Sequence, residues 1–267
     1  MISHRLDLTL DSGVEARVLF TSRGGAASGG SSRSPYAWAN LGSHVGDVPA
    51  SVISNRRALA QALGVPASAM AFMHPDHGRG VAQVTGPTGG APVVAFGTTG
   101  VDPGAEVQSV DALVTLQVGV GLVALAADCV PVILVDPVAG VVAAVHCGWR
   151  GLMLDVVGAA LEAMVGAGAR VDHLRALVGP AICGLCYPVP RERVADVAQV
   201  RPEAVATSRD GQPALDVRVG VAAGLAELGV VTDLFGGCTF EDPDLFSHRR
   251  DGRTGRQSGA VAILAAA

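Results

Sequence analysis

The chain has 267 residues, a formal net charge of −5, and nineteen basic residues that are all arginine. That length sustains one large domain with a sizeable core, and the acidic balance excludes a general nucleic-acid binder, which carries a basic surplus. Five cysteines, an odd number, favour free thiols or a metal site over a disulfide framework.

The opening segment, MISHRLDLTLDSG, lacks the apolar core of a signal peptide, so the expectation is a cytoplasmic protein. Residues 5–10 and 14–22 read as a strand pair turning at Asp11-Ser12-Gly13, and the Gly/Ser-rich stretch 24–34 as a flexible loop. Asp47 is a predicted cap for a helix with Pro49 in its first turn, ending near Gly64. The apolar run near 118–127 meets Asp128 before it is long enough to span a bilayer, which argues against a membrane partner. Short apolar runs at 112–117, 122–127, 131–136 and 141–146 suit strands buried on both faces. A helix is predicted over about 151–165, a strand over 174–178, helices near 190–200 and 216–228, and a last core strand in SGAVAILAA. Irregular interleaving of strands and helices points to a single α/β (α+β) domain over 1–267, with a mixed β-sheet core flanked by helices.

Metal-type ligands stand near three predicted strand ends: His77 in MHPDHGRGV, Cys129 in LAADCVPVIL and His146 in VVAAVH. Each alone is weak, because a lone histidine is usually a satisfied polar residue and a lone cysteine a small hydrophobe. Seven segments then add a resemblance: NLGSHVGD, DHGRGV, VDALVT, ADCVPVILVDP, AAVHCGWRGL, GPAICGLCYPV and LFSHRRDGRTGRQSG. In this order they are similar to successive blocks of the YfiH-like family. That family is also called the laccase-domain or multicopper polyphenol oxidase family, and its members have been assigned purine nucleoside phosphorylase activity. The resemblance implies a YfiH-like fold and a zinc site made by His77, Cys129 and His146. Pro75-Asp76 stands where the family usually has Gln-Val, His74 is near enough to compete with His77, and Cys147 replaces a small residue.

Two imidazoles and a thiolate leave tetrahedral zinc one ligand short, the mark of a catalytic site. Such zinc brings a bound water to a pKa of about 7, which suits deamination at C6 of a purine; alternatively the metal positions a nucleoside for phosphate attack at C1′. Phosphate also needs an anion site. Arg150 sits where a helix begins, and HRRDGRTGR offers Arg250 among other arginines and glycines. The family blocks add Asn40, His44 and Arg56 as expected substrate-binding residues. Asp128 is proposed as general base or orienting group, on the ground that Pro131 makes the strand irregular there. Strand alternation separates His146 from Cys147 and assigns Cys147 to the core. Cys183 and Cys186 form CGLC; with Cys238 standing alone, they read as packing residues.

The leading expectation is therefore a zinc-dependent purine nucleoside phosphorylase acting on a nucleoside and phosphate, with adenosine deamination in the same pocket. The alternatives are a copper polyphenol oxidase, a Cys129–His146 hydrolase or amidase acting on peptidoglycan precursors, and a non-enzymatic partner of the division or envelope machinery. Seven dispersed histidines without H-x-H pairs argue against true laccase chemistry, although His146-Cys147 faintly resembles a copper ligand pair.

Overall fold

A computed structural model describes residues 1–24, 30–85 and 106–264. Of the predicted loop at 24–34, residues 25–29 lie outside the described residues, as do 265–266 of the last predicted strand.

Two six-stranded mixed sheets form the centre of the molecule. The first runs, in spatial order, β1 (Ile2–Thr9), β2 (Glu15–Thr21), β14 (Gln257–Ile263), β7 (Gly121–Ala126), β3 (Met70–His74) and β5 (Glu106–Gln108). The second runs β13 (Val231–Leu234), β10 (Arg175–Val178), β8 (Val130–Asp136), β9 (Val141–Cys147), β6 (Ala112–Thr115) and β4 (Val81–Gln83). A small third sheet pairs β11 (Val205–Thr207) with β12 (Pro213–Leu215).

The sheets stack face to face, because alternate residues of each strand enter different layers. On β9, Val142 and Ala144 join Ile133, Leu122, Ala124 and Phe20 between the sheets. Val141, Ala143, Val145 and Cys147 point the other way, packing with residues of α3 (Val156–Gly166), α4 (Arg191–Val200) and α5 (Val217–Glu227). The outer face of the first sheet, with Leu19, Val123 and Leu125, takes α1 (Pro49–Leu63) through Leu59, Ala60 and Leu63. The result is four layers: helix, sheet, sheet, helices. Strands buried on both faces explain the unbroken apolar runs of β7, β8 and β9, in which every residue is buried. The edge strand β1 instead alternates half-buried and exposed residues.

The structure corrects several expectations. The single helix over 151–165 is two helices, α2 (Trp149–Met153) and α3. Asp155 breaks them apart: it adopts φ 56° and its carboxylate accepts from the Gly158 amide, capping α3. Asp47 does not occupy the cap position of α1, which belongs to Val48. One oxygen of Asp47 accepts from the Val48 amide, and the other from the Ser32 hydroxyl and the Asn40 side chain. Gly64 ends α1 in the left-handed region at φ 87°, where glycine carries no Cβ penalty. Strands β4, β5, β11, β12 and β13 have no counterpart in the sequence reading, and β3 figures there only as a strand end near His77. Several have only three residues, too few for a periodic signal.

Candidate active site and metal centre

The chain crosses from the first sheet to the second at three places, and two of these crossings carry a metal-type side chain. Between β3 and β4, residues 75–80 hold His77; between β7 and β8, residues 127–129 hold Cys129. The third metal-type side chain, His146, lies near the end of β9, where Pro131 of β8 is its register partner. Its place in the alternation, in phase with Val142 and Ala144, turns it toward the space between the sheets, and Cys147 turns away into the helix layer. The donor atoms of His77, Cys129 and His146 lie within 4.8 Å of one another. The rings of His77 and His146 meet edge to face, with centroids 4.9 Å apart. His74 is directed elsewhere: it joins His44 and Glu106 in a separate group, so His77 is the histidine of this centre.

Left-handed backbone occurs at one of these positions and beside another. His77 has φ 63° and Asp128 φ 92°, both in the region that side chains rarely enter. At 127–129 the sharp bend breaks strand alternation, and Asp128 and Cys129 consequently line the same cavity. Gly148, which follows the β9 ligand, leaves the space the centre needs: a Cβ there would stand 3.0 Å from both the Cys129 sulfur and the His77 ring.

Asp111, immediately before β6, organises the centre and is absent from the sequence-based site. It is fully buried. One carboxylate oxygen lies 2.8 Å from Nδ1 of His146 and accepts from the His77 amide, while the other accepts from the Gly78 amide at 2.7 Å. The Asp111 carbonyl also accepts from the His146 amide at 2.7 Å. A hydrogen bond from Nδ1–H to Asp111 fixes the tautomer of His146 and leaves Nε2 as its donor atom, the arrangement metal-ligating histidines use. Burial would push the Asp111 carboxyl up, but its bonds to His146 and the Gly78 amide hold it below the usual value.

The electrostatics favour a thiolate. Burial alone would raise the Cys129 thiol, but the His146 and His77 imidazoles outweigh it and bring it down to about 6. His146 is pushed up to about 9: burial opposes this, and Cys129 and Asp111 overcome it. An imidazole pair beside a thiolate, with a buried carboxylate behind one ring and room left by Gly148, fits a metal ion that prefers nitrogen and sulfur. In metal-free protein at neutral pH, iodoacetamide is expected to modify Cys129 first, because its thiolate predominates above about pH 6. Its labelling rate should fall as the solution is acidified through that value. Burial raises the Cys183 and Cys186 thiols, so they should react only in alkaline solution. Peptide mapping after short exposures checks this order, and equal labelling of all three thiols at neutral pH would refute it.

The centre opens into a cavity of about 430 Å³. Leu125, Ile182, Trp149, Tyr187 and Val217 give it an apolar wall; His44, His248, Arg249 and Arg256 give it polar groups. The Asp128 carboxylate accepts from the Thr239 hydroxyl at 2.6 Å and from the Arg249 amide at 2.7 Å. Burial and the neighbouring Arg256 and His74 push His44 down to about 4, which leaves its ring neutral at pH 7.

Four of the expected substrate-binding residues do not line this cavity. Asn40 is buried and ties Gly42, Asp47 and the Arg256 amide together. Arg56 pairs with Glu106 at 2.5 Å and lies over the Phe72 ring. Arg150 is exposed beside Trp149 on a helix of five residues. Arg250 pairs with Asp251 and clamps the carbonyls of Thr239, Asp242 and Leu245. From the same basic segment, the cavity receives Arg249 and Arg256 instead, and among the described residues neither makes an ion pair. The sequence marked the segment as an anion site but not which arginines turn inward, since that depends on the short α6 (His248–Asp251) and the loop after it.

A family model described as multi-copper polyphenol oxidoreductase laccase matches residues 17–264. The chain belongs to this family. A purine nucleoside phosphorylase of Streptomyces griseus is 46% identical to it over 248 residues, covering 92% of this chain and 94% of that one. One of Corynebacterium glutamicum is 41% identical over 246 residues, covering 92% and 93%. The solved structure of YlmD from Geobacillus stearothermophilus superposes with a TM-score of 0.81 at 30% identity, over 94% of this chain and 92% of that one. YfiH of Bacillus licheniformis gives 0.81 at 26% identity, over 93% and 92%. The mixed α/β architecture of this laccase-domain chain is thus the one its structural neighbours share. Among the described residues, no helix is long and apolar enough to cross a membrane.

Proposed function

We propose that this protein is a zinc-dependent purine nucleoside phosphorylase, converting adenosine or inosine and phosphate to free base and ribose 1-phosphate. The observation that carries the reading is a cavity joining a His77–Cys129–His146 centre to two arginines that, among the described residues, have no carboxylate partner. The relatives named purine nucleoside phosphorylase support it. Held by His77, Cys129 and His146, a zinc ion would supply a positive centre that polarises substrate and acidifies water.

The chain's own residues supply the rest. The planar base fits against Trp149, Tyr187 and Ile182, whose burial of an apolar ring favours binding. Arg249 and Arg256 bind phosphate, and burial of Arg256 strengthens its attraction for an anion. Asp128, anchored by Thr239 and the Arg249 amide, accepts a hydrogen bond from the substrate. A phosphate oxygen bonds to C1′ as the bond from C1′ to N9 breaks. The bonding pair leaves with the purine, which takes up a proton from solvent.

Incubation with inosine, with and without inorganic phosphate, tests the reading. Base release that depends on phosphate and yields equal ribose 1-phosphate is expected; no base release from metal-replete protein would overturn it. Arg256→Gln is expected to raise the KM for phosphate roughly ten- to hundredfold, the worth of one charge-assisted hydrogen bond. The KM for inosine should barely move, and a change of equal size in both would count against the anion role.

The centre also supports deamination of adenosine, in which water adds at C6 and ammonia leaves. Inosine formed from adenosine without phosphate would report it. The paired titration of Cys129 and His146 favours the hydrolase reading as a competitor, and the family's description favours copper. Metal analysis of the same active sample separates them.

A further inference from the structure

Three cysteines outside the site just described come together. Cys183 caps and Cys186 ends the short turn Gly184–Cys186, and Cys238, far along the chain, joins them through the bridge pairing Ala181 with Cys238. Glu241 completes the group, and the four donor atoms lie within 4.8 Å of one another. The expectation that Cys183 and Cys186 are packing residues is therefore corrected: they and Cys238 are partly exposed, and none belongs to a hydrophobic cluster.

We propose that Cys183, Cys186, Cys238 and Glu241 form a second zinc centre, a closed structural one, which braces the wall of the cavity.

The local geometry repeats itself. Cys183-Gly-Leu-Cys186 and Cys238-Thr-Phe-Glu241 each place two ligands three residues apart, the short spacing of structural zinc sites. In each turn the fourth residue's amide donates to the first residue's carbonyl, at 3.0 Å for Cys186 to Cys183 and 3.2 Å for Glu241 to Cys238. The Cys183 amide also donates to the Cys238 sulfur at 3.3 Å, a contact that stabilises a thiolate. The Cys186 sulfur is 3.5 Å from a Glu241 oxygen. Three thiolates and one carboxylate around a divalent ion carry two negative charges in excess. Arg209, paired with Glu241, and Arg249, on the same neighbouring groove, lie where they offset them. Four protein donors fill a tetrahedron, unlike the three of the His77–Cys129–His146 centre. Zinc displaces the thiol protons to solvent and forms four bonds with no change of oxidation state.

The consequence reaches the cavity. Ile182 and Tyr187 of its wall flank the first turn, and Thr239, in the second, holds Asp128. The Pro188 carbonyl accepts from Arg249. Cross-linking the two turns fixes all of these at once.

Zinc is counted in full-length protein purified under reducing conditions without chelator. Two ions per chain are expected, with one lost in Cys129→Ser and the other in Cys238→Ser. Glu241→Gln guards against misfolding of the cysteine variant: its second ion should pass to a competing chelator at a concentration ~10-fold lower. In native protein at alkaline pH, where the free Cys183 and Cys186 thiols ionise, a thiol reagent should reach Cys183, Cys186 and Cys238 only after chelator is added. An unchanged zinc count in Cys238→Ser together with wild-type chelator sensitivity in Glu241→Gln, or a disulfide among the three cysteines in freshly purified protein, would overturn the proposal.

Discussion

Cys129→Ser is expected to lower kcat/KM for inosine phosphorolysis by about three orders of magnitude while leaving the fold intact. A serine hydroxyl fills nearly the same volume, but it does not ionise near neutrality and cannot replace the thiolate donor. If the centre contributes several kcal/mol of charge stabilisation in the transition state, its loss converts at 1.36 kcal/mol per tenfold to roughly a thousandfold. Circular dichroism should be unchanged, because Cys129 occupies a bend between strands and is only partly buried. His77→Ala provides the discriminating comparison. In a Cys129–His146 dyad His77 only helps to lower the Cys129 thiol, whereas in a three-ligand centre it is one of the donors. Equal losses in Cys129→Ser and His77→Ala support the metal reading. A His77→Ala enzyme that keeps most of its activity would sink it in favour of the hydrolase.

Asp111→Asn is expected to damage both the centre and the fold. The carboxylate accepts from the His77 and Gly78 amides and pairs with Nδ1 of His146. An amide side chain has only one accepting atom. Turned toward His146 it faces the Gly78 N–H with its own donors; turned the other way it fails His146. A buried donor left unsatisfied costs ~1–3 kcal/mol, so a fall in thermal midpoint should accompany the loss of activity. Metal affinity should fall roughly 10- to 100-fold, since a freed His146 ring no longer presents Nε2 in a fixed direction. Competition with a chelator and a melting curve on the same sample check both parts. Wild-type metal affinity in Asp111→Asn would show that the carboxylate is structural only.

Much of the fold was legible because buried strands leave a strong mark. The runs at 122–127, 131–136 and 141–146 match β7, β8 and β9 to within about a residue or two. Their unbroken apolar character follows from cover on both faces. Helix boundaries at Gly64 and near Val200 were likewise readable, the first from a glycine that takes φ 87°. The break at Asp155 was not, since a residue with left-handed φ looks like any other aspartate in the sequence.

The residues His77, Cys129 and His146 were nameable from sequence only through the resemblance; spacing alone left each ambiguous. Asp111 escaped for a different reason. It lies one residue before a short strand, 35 positions from the histidine it orients, and no local pattern records that pairing. Arg249 and Arg256 were hidden by neighbours of the same type, and the side chain that was favoured, Arg250, spends its donors on backbone carbonyls.

Fold class, family and the chemical character of the candidate ligands are legible in the chain, because hydrophobic runs and residue types are local properties. Which residues meet is settled by the packing of the sheets. Two crossings between stacked sheets bring His77 and Cys129 to the end of β9, and a parallel bridge brings Cys238 to Cys183 and Cys186. Such convergence is set by strand order and register across long separations, which neighbouring residues do not encode.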